Sequence, residues 1–382
     1  MKKFVILLLL LLTAAGSGCH TLPKEKTAAP PGTVPETWDD KADKAVSAMS
    51  ARQKIGQLLM IGVSGSHLDE ETRVMLKEYP FGNVILFDRN LKNPDQVRTL
   101  NQELKKTMKN TSGGLQPFVA IDQEGGYVRR MKNYLPAMPS ARALGQTSPE
   151  QTKQWAVKTG GSLRNLGFTL NFAPVVDLNS AKNRSYGSTP QQVVPYAKAA
   201  IDGYSSVGLS TCLKHFPGIG KVQTDPHDDG DVVTLTREEL NQEDGRPFRE
   251  LISQTHPEYT YVMVSNVTFP QLDARQPACL SAAVMNTLLR GTYHYEGIIL
   301  TDDMEMGAMA KHYAFSEMGV RAVESGADIV LVCHDYDHMK EVFDGLLSAY
   351  ESGKIDKARV DEAVHRVVRT KLFLAEKEAG SF

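Results

Sequence analysis

From Trp38 onward, short runs of β-branched and aliphatic residues alternate with longer stretches whose apolar positions recur at helical spacing. Eight runs read as strands: Gln57 to Val63, Asn83 to Phe87, Phe118 to Ile121, Thr169 to Val176, Ser210 to Leu213, Tyr261 to Val264, Gly297 to Thr301 and Asp328 to Val332. They are nearly continuous in apolar residues, as expected of parallel strands buried on both faces by helices. The intervening stretches carry helix start and stop signals: Ser148 before Pro149, Thr236 three residues ahead of Glu239, and a Phe315 to Glu324 run that halts at Gly326. Ile355 to Leu374, with Val360, Ala363, Val367 and Leu372 at helical spacing, reads as a terminal helix packed on the sheet. The charge-rich Thr236 to Glu250 segment reads as the solvated face of a helix. Eight βα units predict an α/β fold of the closed (β/α)8 TIM barrel type, a single domain over residues 38–382, with an open doubly wound sheet as the alternative.

Polar residues follow the predicted strands: Asp122, Asp177, Lys214 with His215, Ser265 with Asn266, Asp302 with Asp303, and His334 with Asp335. In a barrel these ends converge on one rim, so residues remote in sequence would share a pocket. Any one of them could merely cap a loop; six in register favour a site. His334 and Asp335 have no further motif behind them and read as a solvated loop. Cys212 and Cys333, inside apolar runs, read as small buried hydrophobes.

Ahead of the barrel, Lys2 and Lys3 precede an apolar run, Phe4 to Leu12, that is too short to span a bilayer. Residues 1–18 therefore read as a lipoprotein signal peptide and Cys19 as the cysteine that is lipidated, although Gly16 stands where such signals usually carry leucine. The four prolines between His20 and Thr37 make residues 19–37 an extended tether. Export and attachment to a membrane through Cys19 are the expected consequences, on the periplasmic or extracellular face. A net charge of −2, from 43 basic and 45 acidic residues interspersed along the chain, offers no footprint for nucleic acid. Four scattered cysteines without paired spacing imply neither a disulfide framework nor a metal site, and nothing implies an organic cofactor.

Strand-end carboxylates can serve as nucleophiles or as acid–base groups, and composition and spacing leave Asp122, Asp225, Asp302 and Asp303 equally eligible. The segments AIDQEGGYVRR (Ala120 to Arg130), LNFAPVVDLN, NRSYG, LKHFPGIG, DPH and GIILTDDMEMGA resemble glycoside hydrolase family 3, specifically its single-barrel β-N-acetylglucosaminidases, over about Ile55 to Ile329. The resemblance implies retaining, exo-acting hydrolysis that releases terminal β-linked N-acetylglucosamine from peptidoglycan fragments or related amino-sugar glycans. It implies Asp302 as the nucleophile that forms a covalent glycosyl intermediate, leaving Asp303 as a structural partner on the opposite face of the strand. It also implies an Asp225 and His227 dyad as acid and base, the spacing of two letting both side chains point the same way from an extended segment. Asp122, Arg130, Arg184, Lys214 and His215 are implied as substrate contacts, with Gly125 and Gly126 letting the backbone turn beside the sugar. An internal salt-bridge network is the alternative for Lys214 and His215.

The chain departs from the family at Ile219 and Lys221, which replace a histidine and an aspartate ahead of the dyad. Slower turnover or a changed aglycone preference is the expected result. Three other readings remain open: a glycan-binding lipoprotein with little turnover, a family 3 β-glucosidase, whose acid/base glutamate usually lies in a second domain, and a glycoside phosphorylase.

Overall fold

The computed structural model describes residues 36–222 and 232–380. Cys19, the tether to Pro35, Asp225 and His227 lie outside the described residues. From Thr37 on, the chain forms one compact unit built on eight strands: β1 (Leu59–Ile61), β2 (Asn83–Leu86), β3 (Phe118–Ile121), β4 (Leu170–Asn171), β5 (Ser210–Phe216), β6 (Thr260–Val264), β7 (Ile299–Asp303) and β8 (Ile329–Val332). They pair in chain order, all parallel, and β8 returns to β1 through Leu59–Val330, Met60–Leu331 and Ile61–Val332. This closed ring is the (β/α)8 barrel.

Two hydrophobic cores explain why the strands lack polar alternation. Met60, Ile85, Ala120, Tyr261, Met263, Leu300, Ile329 and Leu331 fill the barrel interior, while their strand neighbours Leu59, Ile61, Val84, Leu86, Val262, Val264, Val330 and Val332 pack outward under the helices. Successive side chains on a strand point to opposite faces, so apolar residues are needed at every position. Among the strand residues only Asp302 and Asp303 are partly exposed.

The expected elements are present with shifted ends. Gln57 closes a helix, Ala51–Gln57, capped by a reciprocal Ser50 and Gln53 pair, so the first strand begins two residues later than expected. β4 keeps regular pairing only at Leu170–Asn171, and Pro174, which has no N–H to donate to a ladder, follows it. β5 runs on to Phe216 and so carries Lys214 and His215 within the strand. Ser148 caps Pro149–Asn165 by accepting from the Gln151 amide, Thr236 and Glu239 form a capping box, and Gly326 ends Phe315–Ser325 at φ 123°. The segment expected as one solvated helix is two, Arg237–Gln242 and Arg246–Ile252. Pro247 cannot sit in a helix interior and takes the first turn of the second, and Leu240, Phe248 and Leu251 are buried.

The terminal helix, Lys357–Ala379, closes the foot of the barrel. Trp38, on a leading helix Trp38–Ser47, meets its Phe373 edge to face at 5.7 Å. Its Lys371 is buried, donating to Gln57 Oε1 at 2.6 Å and to the Gly82 carbonyl at 2.9 Å. Burial pushes the Lys371 amine well down. At the entry to β8, fully buried Asp328 accepts from Arg290 at 2.5 Å, Arg366 at 3.0 Å, Arg359 at 3.2 Å and the Ile299 amide at 2.9 Å. Burial works against its ionised form, but the three guanidiniums win and hold the carboxyl below its ordinary range. No helix among the described residues is long and apolar enough to cross a membrane.

The Asp328 clamp ties the terminal helix to two strands, and removing it leaves three cations facing an apolar floor. Asp328→Ala should lower stability by about 3–5 kcal/mol, read from urea denaturation. A change within about 0.5 kcal/mol would show that the guanidiniums find solvent instead.

Candidate active site

Every strand leaves its last residues at one rim, and there a cavity of about 590 Å³ is lined by Asp122, Glu124, Arg130, Arg184, Lys214, His215, Asp302 and Asp303 among others. All six implied site residues that fall within the described chain therefore face one space, although they come from four separate βα segments. A second cavity of equal size lies at the foot, against Phe118, Thr169, Tyr259 and Lys371.

The wall is a buried charge network. Lys214, on β5, donates to Asp122 Oδ1 at 2.7 Å and lies 2.8 Å from Glu124 Oε1. Glu124 also receives two parallel bonds from Arg184, each at 2.8 Å. This planar fork fixes the guanidinium in orientation as well as place. Burial would raise the Glu124 carboxyl, yet Lys214 and Arg184 hold it at about 2. Burial would likewise lower Lys214 and Arg184, and their carboxylate neighbours raise both above their ordinary values. The salt-bridge reading of Lys214 and the cavity-lining reading thus hold together.

Sequence reasoning passed over Glu124 and left Asp177 without a role. Asp177, fully buried, accepts from the backbone of His215 at 3.1 Å and of Ile219 at 3.0 Å through Oδ1, and faces His215 Nδ1 at 2.7 Å through Oδ2. A carboxylate there sets the proton on Nδ1 and leaves Nε2 as the free ring nitrogen. The signal for Glu124 was its place in the DQEGG segment, two residues from Asp122. Gly125 and Gly126 have φ of 97° and 57°, and a Cβ on either would meet Pro139 O at 2.4 Å or Ser140 Cβ at 2.5 Å. Only glycine fits that turn. Arg130 lies at the rim and pairs with Asp88 at 2.7 Å rather than with Asp122.

Among the described residues, Asp302 on β7 accepts only from the Asp303 amide, at 2.9 Å, and has no ion-pair partner. Of the carboxylates left eligible by spacing, Asp122 is bound to Lys214 and Asp303 to His334 Nε2 at 2.9 Å. Asp303 does not turn away from the site as expected; it lines the same cavity as Asp302. The pairing of β7 with β8 shifts register between Leu300 and Asp303, and such an irregularity re-aims side chains that strict alternation would separate. His334 is exposed on a loop, as expected, and it also lines the cavity, with Arg89 3.0 Å from its Nδ1 and Phe87 against its ring at 5.0 Å. The bond to Asp303 pulls the His334 imidazole upward, burial and Arg89 opposing. Asp335 caps the helix Tyr336–Ser352 by accepting from the Asp337 amide. Glu305 holds the turn after β8, accepting from the amides of Cys333 at 2.7 Å, His334 at 2.5 Å and Asp335 at 2.9 Å.

The stem that leads toward residues 225 and 227 is anchored through the two departures from the family. Ile219 packs against the core and borders the cavity. Lys221 reaches Glu243 at 2.6 Å and the buried Asp244 at 3.1 Å, so an aspartate at that position would face two carboxylates. A Cβ at Gly220 would fall 1.6 Å from Leu178 O, which pins the stem against the β4 loop.

Comparison with known proteins follows the same lines. The model of the glycosyl hydrolase family 3 N-terminal domain matches residues 50–370. Beta-hexosaminidase LpqI of Mycobacterium tuberculosis is 31% identical over 363 residues, covering 92% of this chain and 87% of that protein. A beta-hexosaminidase of Tolumonas auensis is 34% identical over 300 residues, 75% of this chain and 86% of its own length. The solved family 3 beta-N-acetylglucosaminidase of Paenibacillus sp. str. FPU-7 superposes with a TM-score of 0.82 at 37% identity over 86% of this chain, which spans 64% of that enzyme's chain.

The Asp177 and His215 pair gives a prediction independent of any ligand. In Asp177→Asn the two backbone amides keep the side-chain oxygen, so the amide nitrogen must face His215 Nδ1 and drive the ring proton to Nε2. Imidazole nitrogen chemical shifts should report that reversal. A ring that keeps its Nδ1 proton in the variant would show that Asp177 does not set the tautomer.

Proposed function

The chain belongs to glycosyl hydrolase family 3 and is a glycoside hydrolase; from that premise we propose that it is a retaining exo-β-N-acetylglucosaminidase. The beta-hexosaminidase and beta-N-acetylglucosaminidase names of its relatives support the sugar. The observation that carries the mechanism is Asp302: a carboxylate near the end of a rigid strand, facing the cavity, with no ion pair among the described residues while Asp122 and Asp303 are engaged. An unpaired carboxylate on a fixed element can meet an anomeric carbon without first giving up a cation.

In the proposed reaction Asp302 attacks the anomeric carbon as the glycosidic C–O bond breaks, and the His227 imidazolium gives its proton to the departing oxygen. A water then attacks the glycosyl ester from the face the aglycone left, His227 takes its proton, and Asp302 is released. Two inversions retain the anomeric configuration. Asp225 holds the His227 tautomer. The Asp122–Lys214–Glu124–Arg184 network and the free Nε2 of His215 supply charged and neutral partners to ring hydroxyls, leaving a mismatched sugar with unpaired polar groups. The substrates we propose are glycans ending in N-acetylglucosamine, peptidoglycan fragments included, reached from a membrane by a lipid on Cys19.

Hydrolysis of p-nitrophenyl N-acetyl-β-glucosaminide tests the chemistry. Asp302→Asn should lose on the order of 10⁴-fold or more in kcat, and a fluorinated donor should label Asp302 and no other side chain. His227→Ala should lose on the order of 10²–10⁴-fold on unactivated glycosides and less on the nitrophenyl one. Equal losses on both would remove His227 as the acid, and a sugar 1-phosphate formed in phosphate buffer would make the enzyme a phosphorylase. A fatty-acid analogue fed to cells should tag the full-length chain and not Cys19→Ala; tagging of both would exclude that anchor.

A further inference from the structure

Asp303, Cys333 and His334 stand apart from the charge network at the opposite wall of the cavity. One oxygen, the thiol sulfur and one ring nitrogen of the three lie within 4.8 Å of one another, the one such set of His, Cys and acidic ligands among the described residues. All three border the cavity. We infer that these residues form a binding site for a zinc-class divalent cation, next to Asp302, whose occupation inhibits the enzyme.

The contacts already present favour an ion. His334 Nε2 faces Asp303 Oδ2 at 2.9 Å, and the sulfur of buried Cys333 lies within 4.8 Å of the His334 and Asp303 ligand atoms. A dication can take the place of the proton that joins the imidazole to the carboxylate. Thiolate, imidazole and carboxylate together suit zinc or cobalt better than magnesium or calcium. Such ions hold these atoms at about 2.0–2.3 Å, which sets ligand atoms roughly 3.3–3.7 Å apart around a tetrahedral centre, so the His334 and Asp303 atoms, 2.9 Å apart, part slightly and the sulfur draws in from within 4.8 Å. Three protein ligands leave a fourth position open toward the cavity.

The charges balance. Before binding, the set holds one negative charge, on Asp303. Binding expels the thiol proton to solvent, and the Asp303 carboxylate and Cys333 thiolate neutralise the dication. The imidazole proton moves from Nε2 to Nδ1, displacing the Arg89 NH1 that lies 3.0 Å away. Arg89 stays in place through its Nε bond to Val63 O at 3.0 Å and its NH2 bond to Cys333 O at 2.6 Å. The His334 side chain is 47% exposed, so the new Nδ1–H reaches water. One proton is released per ion. The set thus goes from one negative charge to none, with a dication bound one residue from Asp302 that draws on its carboxylate and blunts its attack; that inhibitory consequence rests on the proposed role of Asp302, whereas binding does not.

Cobalt(II) alone, added to the full-length chain, is the probe, because thiolate ligation gives a charge-transfer band in the near ultraviolet. The band should saturate at one ion per chain with about one proton released, and zinc should erase it. Cys333→Ser should abolish it. The exposed His334→Ala, which leaves the core intact, should weaken binding by more than the 10–100-fold that loss of an outer-shell partner costs. The Asp225→Ala, His227→Ala double variant should keep the band in full. In activity assays zinc should inhibit the parent and spare Cys333→Ser. No band in the parent, an undiminished band in Cys333→Ser, or loss of the band in the double variant would overturn the site. A parent that binds cobalt through Cys333 but hydrolyses nothing would leave the metal site standing and refute the glycosidase reading alone.

Discussion

Lys214 is a buried cation held between two carboxylates, and the rim of the barrel depends on it. Taking an ammonium and two carboxylates out of water costs more than any one pair returns, so such a cluster survives only when every charge is satisfied. Here each is: Lys214 by Asp122 and Glu124, Glu124 again by the Arg184 fork. The return is geometric. β3 with its following turn, β5, and the loop after β4 are locked to one another at their polar ends, and a floppy rim becomes a wall of fixed donors and acceptors.

Against that wall, β7 contributes the opposite quality. Asp302 is partly exposed and carries no ion-pair partner among the described residues, whereas its neighbour Asp303 is tied to His334. A carboxylate without an ion pair among the described residues and a paired one sit side by side where the strand slips register. The division of labour is therefore a property of the backbone as much as of the side chains.

The fold was legible in the sequence because parallel strands need apolar residues on both faces, and eight such runs are hard to mistake. Their ends were less so. Ile55 and Leu58 are buried beside the first strand and blur the boundary of the helix before it, and Pro247, which splits one expected helix into two, was readable but outweighed by the surrounding charge. At the site, Asp122, Arg130, Arg184, Lys214, His215 and Asp302 were found through the family's motifs, and the barrel brings them together. Periodicity could not have found Asp303's orientation or His334's partner, since each depends on contacts across strands rather than along one. Glu124 and Asp177 hold other side chains in place, a role that spacing does not advertise. Asp225, His227 and Cys19, expected as the dyad and the lipid acceptor, lie outside the described residues.

The foot of the barrel carries a quieter consequence. Lys371 is stripped of water with no acid beside it, and Asp328 is ionised under three guanidiniums. Both groups bind protons more readily in the unfolded chain than in the folded one: Lys371 between its depressed value and the ordinary lysine range near 10.4, Asp328 near and below the ordinary aspartate range near 3.9. Each therefore makes the folded state gain on the unfolded one as protons become scarcer. The end of the barrel that takes no part in chemistry leans the whole fold toward alkaline surroundings.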